Sequence, residues 1–361
     1  MKRTEISDGQ FFFIIFVSIT SLTFFSVPSL LIPKVKQDVW LSMGIGTFID
    51  IYVAWLLYWL GRKYPGQSLV QYSGKVLGIV GKGFGLLFVL FFFVAIVTSV
   101  WIFSKFLSTT LLPETPDLIF SATMTLCAGW AAYSGLETIA RLAQIIAILI
   151  LSGSVLVFLF SIPEVHLDYL LPQFENGLRP AVKGSIYPGS WFGICIMMGM
   201  LMPHHANPKR TFKVKASAVL LGSFIMTLML LYTIAVIGPS MASSVENPTY
   251  VFSRIIHPYF MERIDILLML IYISGTFITY STLYYVLSEG AAQLFGTRKH
   301  RGWVLGFAIF FILSPLVPFS QDISISYHYL NEWFPVFGLL IEGGATTIIF
   351  IAAWIRDKFG R

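Results

Sequence analysis

Charge is scarce in this chain. Only 12% of its 361 residues are Asp, Glu, Lys or Arg, against roughly 25% in an average soluble domain. Cysteine is scarcer still. Cys127 and Cys195 are the only two, and both sit in apolar runs, so neither a disulfide framework nor a cysteine metal site is supported. There is no H-E-x-x-H, G-x-S-x-G or P-loop pattern, which removes the usual zinc-hydrolase, serine-hydrolase and nucleotide-phosphate chemistries. Gly83-x-Gly85 alone is a junction between loop and span. The chain reads as a non-enzyme with no cofactor and no metal. The first apolar run is too long for a signal peptide and lacks an A-x-A-like cleavage site.

What is present is apolar. The chain is 56% hydrophobic and 16% aromatic, with mean hydropathy +0.78. A core that absorbed this much apolar surface would need a far larger soluble protein, so the sequence describes an all-α polytopic membrane protein. About 20 apolar residues span a bilayer, and ten such segments are expected, at 10–32, 40–60, 83–112, 117–136, 139–162, 185–204, 216–238, 264–292, 302–319 and 333–355. The boundary between the fourth and fifth is marked only by Glu137 and Arg141. Loop 61–82 has room for a short surface helix. Loops 163–184 and 239–263 are long enough to cover a vestibule.

Orientation follows from the distribution of Lys and Arg. With the N-terminus in the cytoplasm, the inner segments hold Lys2, Arg3, Arg62, Lys63, Lys75, Lys82, Arg141, Lys209, Arg210, Lys213, Lys215, Arg298, Lys299, Arg301, Arg356, Lys358 and Arg361. The outer loops hold only Lys34, Lys36, Arg179, Lys183, Arg254 and Arg263. Both termini are therefore expected to be cytoplasmic. The net charge of +6 reflects this bias, and no nucleic-acid partner is needed to explain it. Trp40, Trp101, Trp303, Trp333 and Trp354 fall near expected span ends, as an interfacial belt requires.

Two spans are interrupted in the same manner. Ser18, Thr20, Ser21, Thr23, Ser26 and Pro28 break the first, and Pro188, Gly189, Gly193 and Gly199 break the sixth. A helix that loosens its ladder inside a bilayer must line a cavity or pack on protein, and paired interruptions in corresponding halves point to a transporter-type binding site. Ten spans from an inner N-terminus would make two five-helix units inverted relative to each other, repeat 1 at about 10–162 and repeat 2 at about 185–355, within one transmembrane domain over 1–361.

Several local patterns occur in a telling order: Ile6-Ser7…Gln10; Tyr64-Pro65 with Tyr72 and Leu77-Gly78; Leu111-Leu112-Pro113-Glu114-Thr115-Pro116; Gly135-Leu136-Glu137…Arg141; Leu171-Pro172…Gly177…Pro180; Pro203 with Lys209-Arg210; and Glu262-Arg263. In these, the chain resembles the B subunits of spore-germination nutrient receptors, a branch of the amino acid–polyamine–organocation transporter superfamily. The resemblance runs nearly end to end. It implies a LeuT-like 5+5 fold with broken helices 1 and 6 and a small nutrient ligand held between spans 1 and 6 and walled by spans 3 and 8. It also implies the inner membrane of a spore, and receptor A and C subunits as partners. Where relatives carry Gly-x-Gly in the first span this chain has Ser21-Leu22-Thr23, and where some carry a Glu midway along the sixth it has Met197. Those departures suggest a hydroxyl-lined, uncharged pocket.

The candidate ligand residues are Ser18, Ser21, Thr23 and Phe24 in span 1; Trp101 in span 3; Phe192, Gly193, Cys195 and Met197 in span 6; and Ser274, Thr276 and Phe277 in span 8. Ser274, Phe277 and Ser281 are expected to share one helical stripe. The hydroxyls of span 1 suit small-residue packing or back-bonding to the i−4 carbonyl equally well. Intramembrane charges are functional candidates by default, which makes Asp50, Lys105 and Glu342 candidates for ion or proton coupling. His204-His205 reads as an interfacial pair, and Glu289 as a snorkelling side chain. The function expected is a nutrient-sensing receptor subunit. The alternatives are a proton-coupled solute transporter and a ligand-gated channel.

Overall fold

The computed structural model describes residues 5–256, 264–297, 299–317 and 322–359, without the side chains of Leu22, Thr23, Phe25, Ile323, Ser324 and Phe359. Helices dominate it. They are α1 (Asp8–Val35), α2 (Val39–Lys63), α3 (Leu69–Leu77), α4 (Ile79–Thr110), α5 (Asp117–Ser134), α6 (Leu136–Ser161), α7 (Leu178–Gly184), α8 (Ile186–Gly193), α9 (Met198–Leu201), α10 (Thr211–Ile237), α11 (Pro239–Ser244), α12 (Pro248–Ile255), α13 (Asp265–Leu294), α14 (Arg301–Ile312), α15 (Ile323–His328), α16 (Phe334–Leu339) and α17 (Thr346–Phe359). Helical structure lies at every expected span. Among the described residues, seven stretches are long and apolar enough to cross a membrane, with shorter apolar helices at Asp8–Ser21 and Arg301–Leu316.

Local chemistry explains the boundaries. Ser7 and Gln10 form a reciprocal capping box at the start of α1, and Ser68 and Gln71 repeat it at α3, the short helix expected in loop 61–82. Each box satisfies two helix-end donors that would otherwise be orphaned. Gly135, with φ of +109°, separates α5 from α6. Glu137 and Arg141 therefore lie inside the first turns of α6, where they pair as i,i+4 neighbours, and do not mark the turn itself.

The two expected breaks have different outcomes. α1 runs through Ser18–Pro28 without interruption. Its hydroxyls bond back into their own helix, Ser18 to the Ile14 carbonyl at 2.7 Å and Thr20 to that of Phe16 at 3.0 Å, so they occupy acceptors without opening the ladder. The sixth span does break. After α8 the chain tightens into a 3₁₀ turn at Ile194–Met197, resumes as α9, and tightens again at Met202–His204. The last span, α15 to α17, is loosened instead by two π-helical turns, Tyr329–Trp333 and Leu340–Ala345.

Burial sorts the spans. In the sixth, 94% of the most apolar window lies inside the protein, against 33% for Leu136–Glu164. The sixth span packs against α1, α2 and α16. Phe48, Trp130 and Leu305 point outward and are largely exposed, as lipid-facing side chains should be. Trp101 is buried and so does not belong to the interfacial belt, whereas Trp333 and Trp354 are exposed. Asp38, at the α1–α2 turn, accepts the Phe174 N–H at 3.0 Å and 3.1 Å, and Gln37 donates to the Pro172 carbonyl. These bonds fasten the loop before α7 over that end of the bundle. Glu262 and Arg263 lie outside the described residues.

Candidate ligand and ion site

The broken sixth span holds four of the candidate residues. Phe192, Gly193, Cys195 and Met197 are all buried. α2 reaches this span closely because Gly46 carries no side chain: a Cβ there would sit 2.8 Å from the Gly189 nitrogen and 2.9 Å from the Pro188 ring. On the α1 side, Ser21 shares a 2.7 Å hydrogen bond with Thr279 of α13. Gly275 permits that contact, since a Cβ on it would lie 2.7 Å from that of Ser21. Thr279 and Gly275, one turn apart, therefore form the α13 face toward α1. Thr276 is buried beside them. Ser274 and Phe277 are only half-buried, and Ser274 bonds back to the Leu270 carbonyl. Of the expected Ser274–Phe277–Ser281 stripe, only Ser281 is fully buried. Phe24 and Trp101 are buried, on α1 and α4. The Thr23 side chain lies outside the described residues.

A charged cluster accompanies the break. Lys215 of α10 donates to Asp50 of α2 at 2.9 Å, with both side chains fully buried. The expectation that Lys215 belongs to a cytoplasmic loop is corrected here. It stands one turn into α10, and α10 packs on α2. A lysine stem long enough to reach inward makes the two placements indistinguishable from sequence. Glu342, in the second π-helical turn, is also buried and interacts electrostatically with Asp50, Lys215 and Cys195. A Cβ at Gly193 would overlap the Glu342 carboxylate. The π-helical turn inserts an extra residue, and such turns commonly mark functional positions. Lys105 lies on the exposed face of α4 and does not join the cluster.

The expectation of uncharged surroundings for these candidates is therefore corrected: Asp50, Lys215 and Glu342 accompany them. The Glu342 carboxylate reaches the glycine that ends α8 from almost 150 positions away in the chain. No local signal announces this. The only clue in the sequence is a lone Glu inside an apolar span next to Gly343-Gly344.

A second polar cluster ties the ends of spans 1 and 6. Ile6 pairs with the backbone of His204 and Ala206 at 2.8 Å and 3.0 Å. The Asp8 carboxylate meets His205 at 3.0 Å, Arg210 at 3.0 Å and Asn207 at 3.2 Å. His205 is buried, with its other ring nitrogen 2.7 Å from Thr211 Oγ1 and its ring stacked on Phe11. It is a satisfied structural histidine, and it lies outside the spans. Burial pushes its pKa below the usual histidine value, against the upward pull of Asp8. The cost of burying Asp8 raises that carboxyl, but bonds from Asn207, Arg210 and His205 outweigh it and hold the pKa below the ordinary range.

An apolar groove of about 540 Å³ lies elsewhere, between α4 and the start of the last span, lined by Phe93, Val97, Ile325, Tyr329 and Trp333 among others. Ile325 and Trp333 are exposed and the lining lacks convergent charge, so the groove belongs to the lipid-facing surface.

These features define a class: a multi-pass helical protein with a LeuT-type transporter fold. Solved structures agree on the fold. MhsT in complex with L-phenylalanine superposes with a TM-score of 0.67 at 14% identity, over 100% of this chain and 91% of that one. The nucleobase-cation-symport-1 family transporter Mhp1 gives 0.66 at 12% identity, over 99% and 94%. A Na⁺-coupled sialic acid symporter gives 0.62 at 14%, over 97% and 79%. Within that class the chain belongs to the spore germination protein family, the spore permeases, whose sequence model matches residues 5–323. Among relatives, putative spore germination protein YfkT of Bacillus subtilis (strain 168) is 28% identical over 81% of each chain. Spore germination protein YndE of the same organism is 23% identical over 90% of this chain and 89% of that one. Spore germination protein KB is 23% identical over 83% and 81%.

Proposed function

We propose that this protein is the membrane-embedded B-type subunit of a spore germinant receptor in the spore inner membrane, with both termini cytoplasmic. A small nutrient, an amino acid or a similar solute, binds at the broken sixth span between α1, α4 and α13. The observation that carries this reading is the 3₁₀ turn Ile194–Met197, wholly buried, which follows Phe192 and Gly193 and packs against α1 and α2. In a 3₁₀ turn each carbonyl accepts from the N–H three residues on in poorer geometry than in an α-helix, so the carbonyls keep a second lone pair for a ligand's donor in a site otherwise poor in polar groups. The nutrient acts by binding one conformation better than another and so shifting an existing equilibrium. Receptor A and C subunits receive that shift.

A thermal-shift screen of amino acids, sugars and nucleosides on the purified protein tests this. A stabilising compound whose effect disappears in both Ser21→Leu and Thr276→Leu, each still folded, supports the site. A compound indifferent to both removes it. The buried charges Asp50, Lys215 and Glu342 favour a second reading, a proton-coupled solute transporter on the same fold, since fold does not decide function. Uptake of labelled ligand into proteoliposomes, driven by a pH gradient, separates transport from sensing, because a receptor binds saturably without accumulating its ligand.

A further inference from the structure

Among the described residues, Asp50, Lys215 and Glu342 do not balance. Lys215 neutralises Asp50 through a direct 2.9 Å contact. Glu342 is as deeply buried, has no ionic partner among the described residues, and leaves Oε1 without a hydrogen bond, as Asp50 does with Oδ2. Three ionised groups would therefore leave one uncompensated negative charge inside the bundle, which a low-dielectric interior strongly disfavours. Two ligands could cancel it, a metal cation or a proton. A cation requires several oxygens around it, but Lys215 already occupies the positive position, and the neighbour on the loosened turn is the thiol of Cys195. A proton needs a single carboxyl oxygen. The groups facing Glu342 are Asp50 from α2, Lys215 from α10 and Cys195 from the sixth span. From α4 the neighbouring contact is aromatic, Phe91 against Phe337.

We propose that Glu342 is a proton-binding site whose neutral carboxyl seats against Gly193, and that proton occupancy controls the loosened turn of the sixth span. On deprotonation, the O–H bond of the carboxyl breaks, the proton passes to water as hydronium and the electron pair stays on the carboxylate. The charged group then leaves its apolar seat for solvent or for Lys215. The space it vacates at Gly193 frees Ile194–Met197 to move. The proposal rests on the reading above only in taking that turn as part of the ligand site.

The chain's two cysteines supply the probe. Cys127 is exposed and Cys195 is buried in the turn. In the Cys127→Ser protein, reconstituted in nanodiscs without nutrient, alkylation of Cys195 is followed against pH beside Cys127→Ser/Glu342→Gln, where the side chain is permanently neutral. Taking the ratio of the two rates removes the thiol pH dependence common to both proteins, and because an ionised Glu342 disfavours the nearby thiolate, a rise in the ratio reports access to Cys195 and not its acidity. The ratio is expected to rise about tenfold between a pH at which the infrared spectra show the carboxyl protonated and one at which they show it ionised. Infrared difference spectra of the same samples should show a protonated-carboxyl band at the lower pH that Glu342→Gln lacks. If Glu342→Gln does not fold, Glu342→Asp serves, and the band must shift in it. A flat ratio, or a carboxyl band unchanged by substitution at 342, overturns the proposal. Neither readout contains a nutrient. A nutrient screen without hits therefore leaves this result standing, and a flat ratio leaves a nutrient hit standing.

Discussion

The first and sixth spans carry polar interruptions of similar density, yet α1 stays a continuous helix while the sixth is cut into α8, a 3₁₀ turn and α9. The kind of residue decides the outcome. Ser and Thr bring their own hydroxyls and return them to carbonyls one turn back, so a hydroxyl-rich helix holds. Glycine brings no side chain, costs about 1 kcal/mol of helix stability, and lets another group take the space. At Gly193 that group is the carboxylate of Glu342. The hydroxyl-lined helix stays whole, and the glycine-lined one is divided.

The largest test of this contrast removes the charge that supports the sixth span. Lys215→Met strands Asp50 and Glu342 together, and breaking a buried pair costs about 3–5 kcal/mol. Its unfolding midpoint in denaturant should drop accordingly, and the Asp50→Asn/Lys215→Met double variant should recover most of the loss. A single variant as stable as the parent would mean that the pair carries no structural weight. Next in size is Gly193→Ala, where overpacking against Glu342 should cost about 1–3 kcal/mol. Shortening the acid with Glu342→Asp should relieve part of it, and the non-additivity in a double-mutant cycle measures the contact. On the α1 side the effects shrink. Ser21→Ala removes the bond to Thr279 and should cost about 1 kcal/mol, whereas Ser18→Ala deletes only a back-bond and should stay within about 0.5 kcal/mol. A larger effect at Ser18 than at Ser21 would reverse the assignment of the inward face.

The smallest effect concerns the clasp that joins the two spans at Asp8 and His205. Because the folded pKa of His205 is lowered, its contribution to stability is full above the unfolded histidine value of about 6.5 and is lost as pH falls below that. Asp8, also lowered, contributes above the unfolded carboxyl value of about 3.9 and loses its share in stronger acid. Acid should therefore loosen the clasp in two stages. Thermal melts of His205→Gln, which cannot show the first stage, give the comparison.

Much of this is legible in the sequence, and the limits have physical causes. Apolar runs of bilayer length mark helical structure at every expected span, because length and hydropathy are local. Ser7…Gln10 and Gly135 are visible as patterns and act as a cap and a breaker. The break at Gly193 is readable from glycine content. The continuity of α1 is not, since the same hydroxyls serve a broken helix or a closed one and only their acceptors distinguish the two. Lys215 reads as a loop residue because a lysine near a span end usually points to water. Its partner Asp50 is 165 residues away, and no periodicity links them. Glu342 is recognisable as an intramembrane charge, but its seat on Gly193 depends on a π-helical turn that no composition rule foretells. Lys105 fits the same rule and points outward.

Hydrogen exchange measured peptide by peptide on the protein in nanodiscs addresses the central claim most directly. If the sixth span is the loosened one, amides of Ile194–Met197 should exchange faster than those of Ser18–Ser26, by about tenfold or more given that each 1.4 kcal/mol of local opening energy is about a factor of ten. Equal protection in both segments, or faster exchange in Ser18–Ser26, would contradict the account.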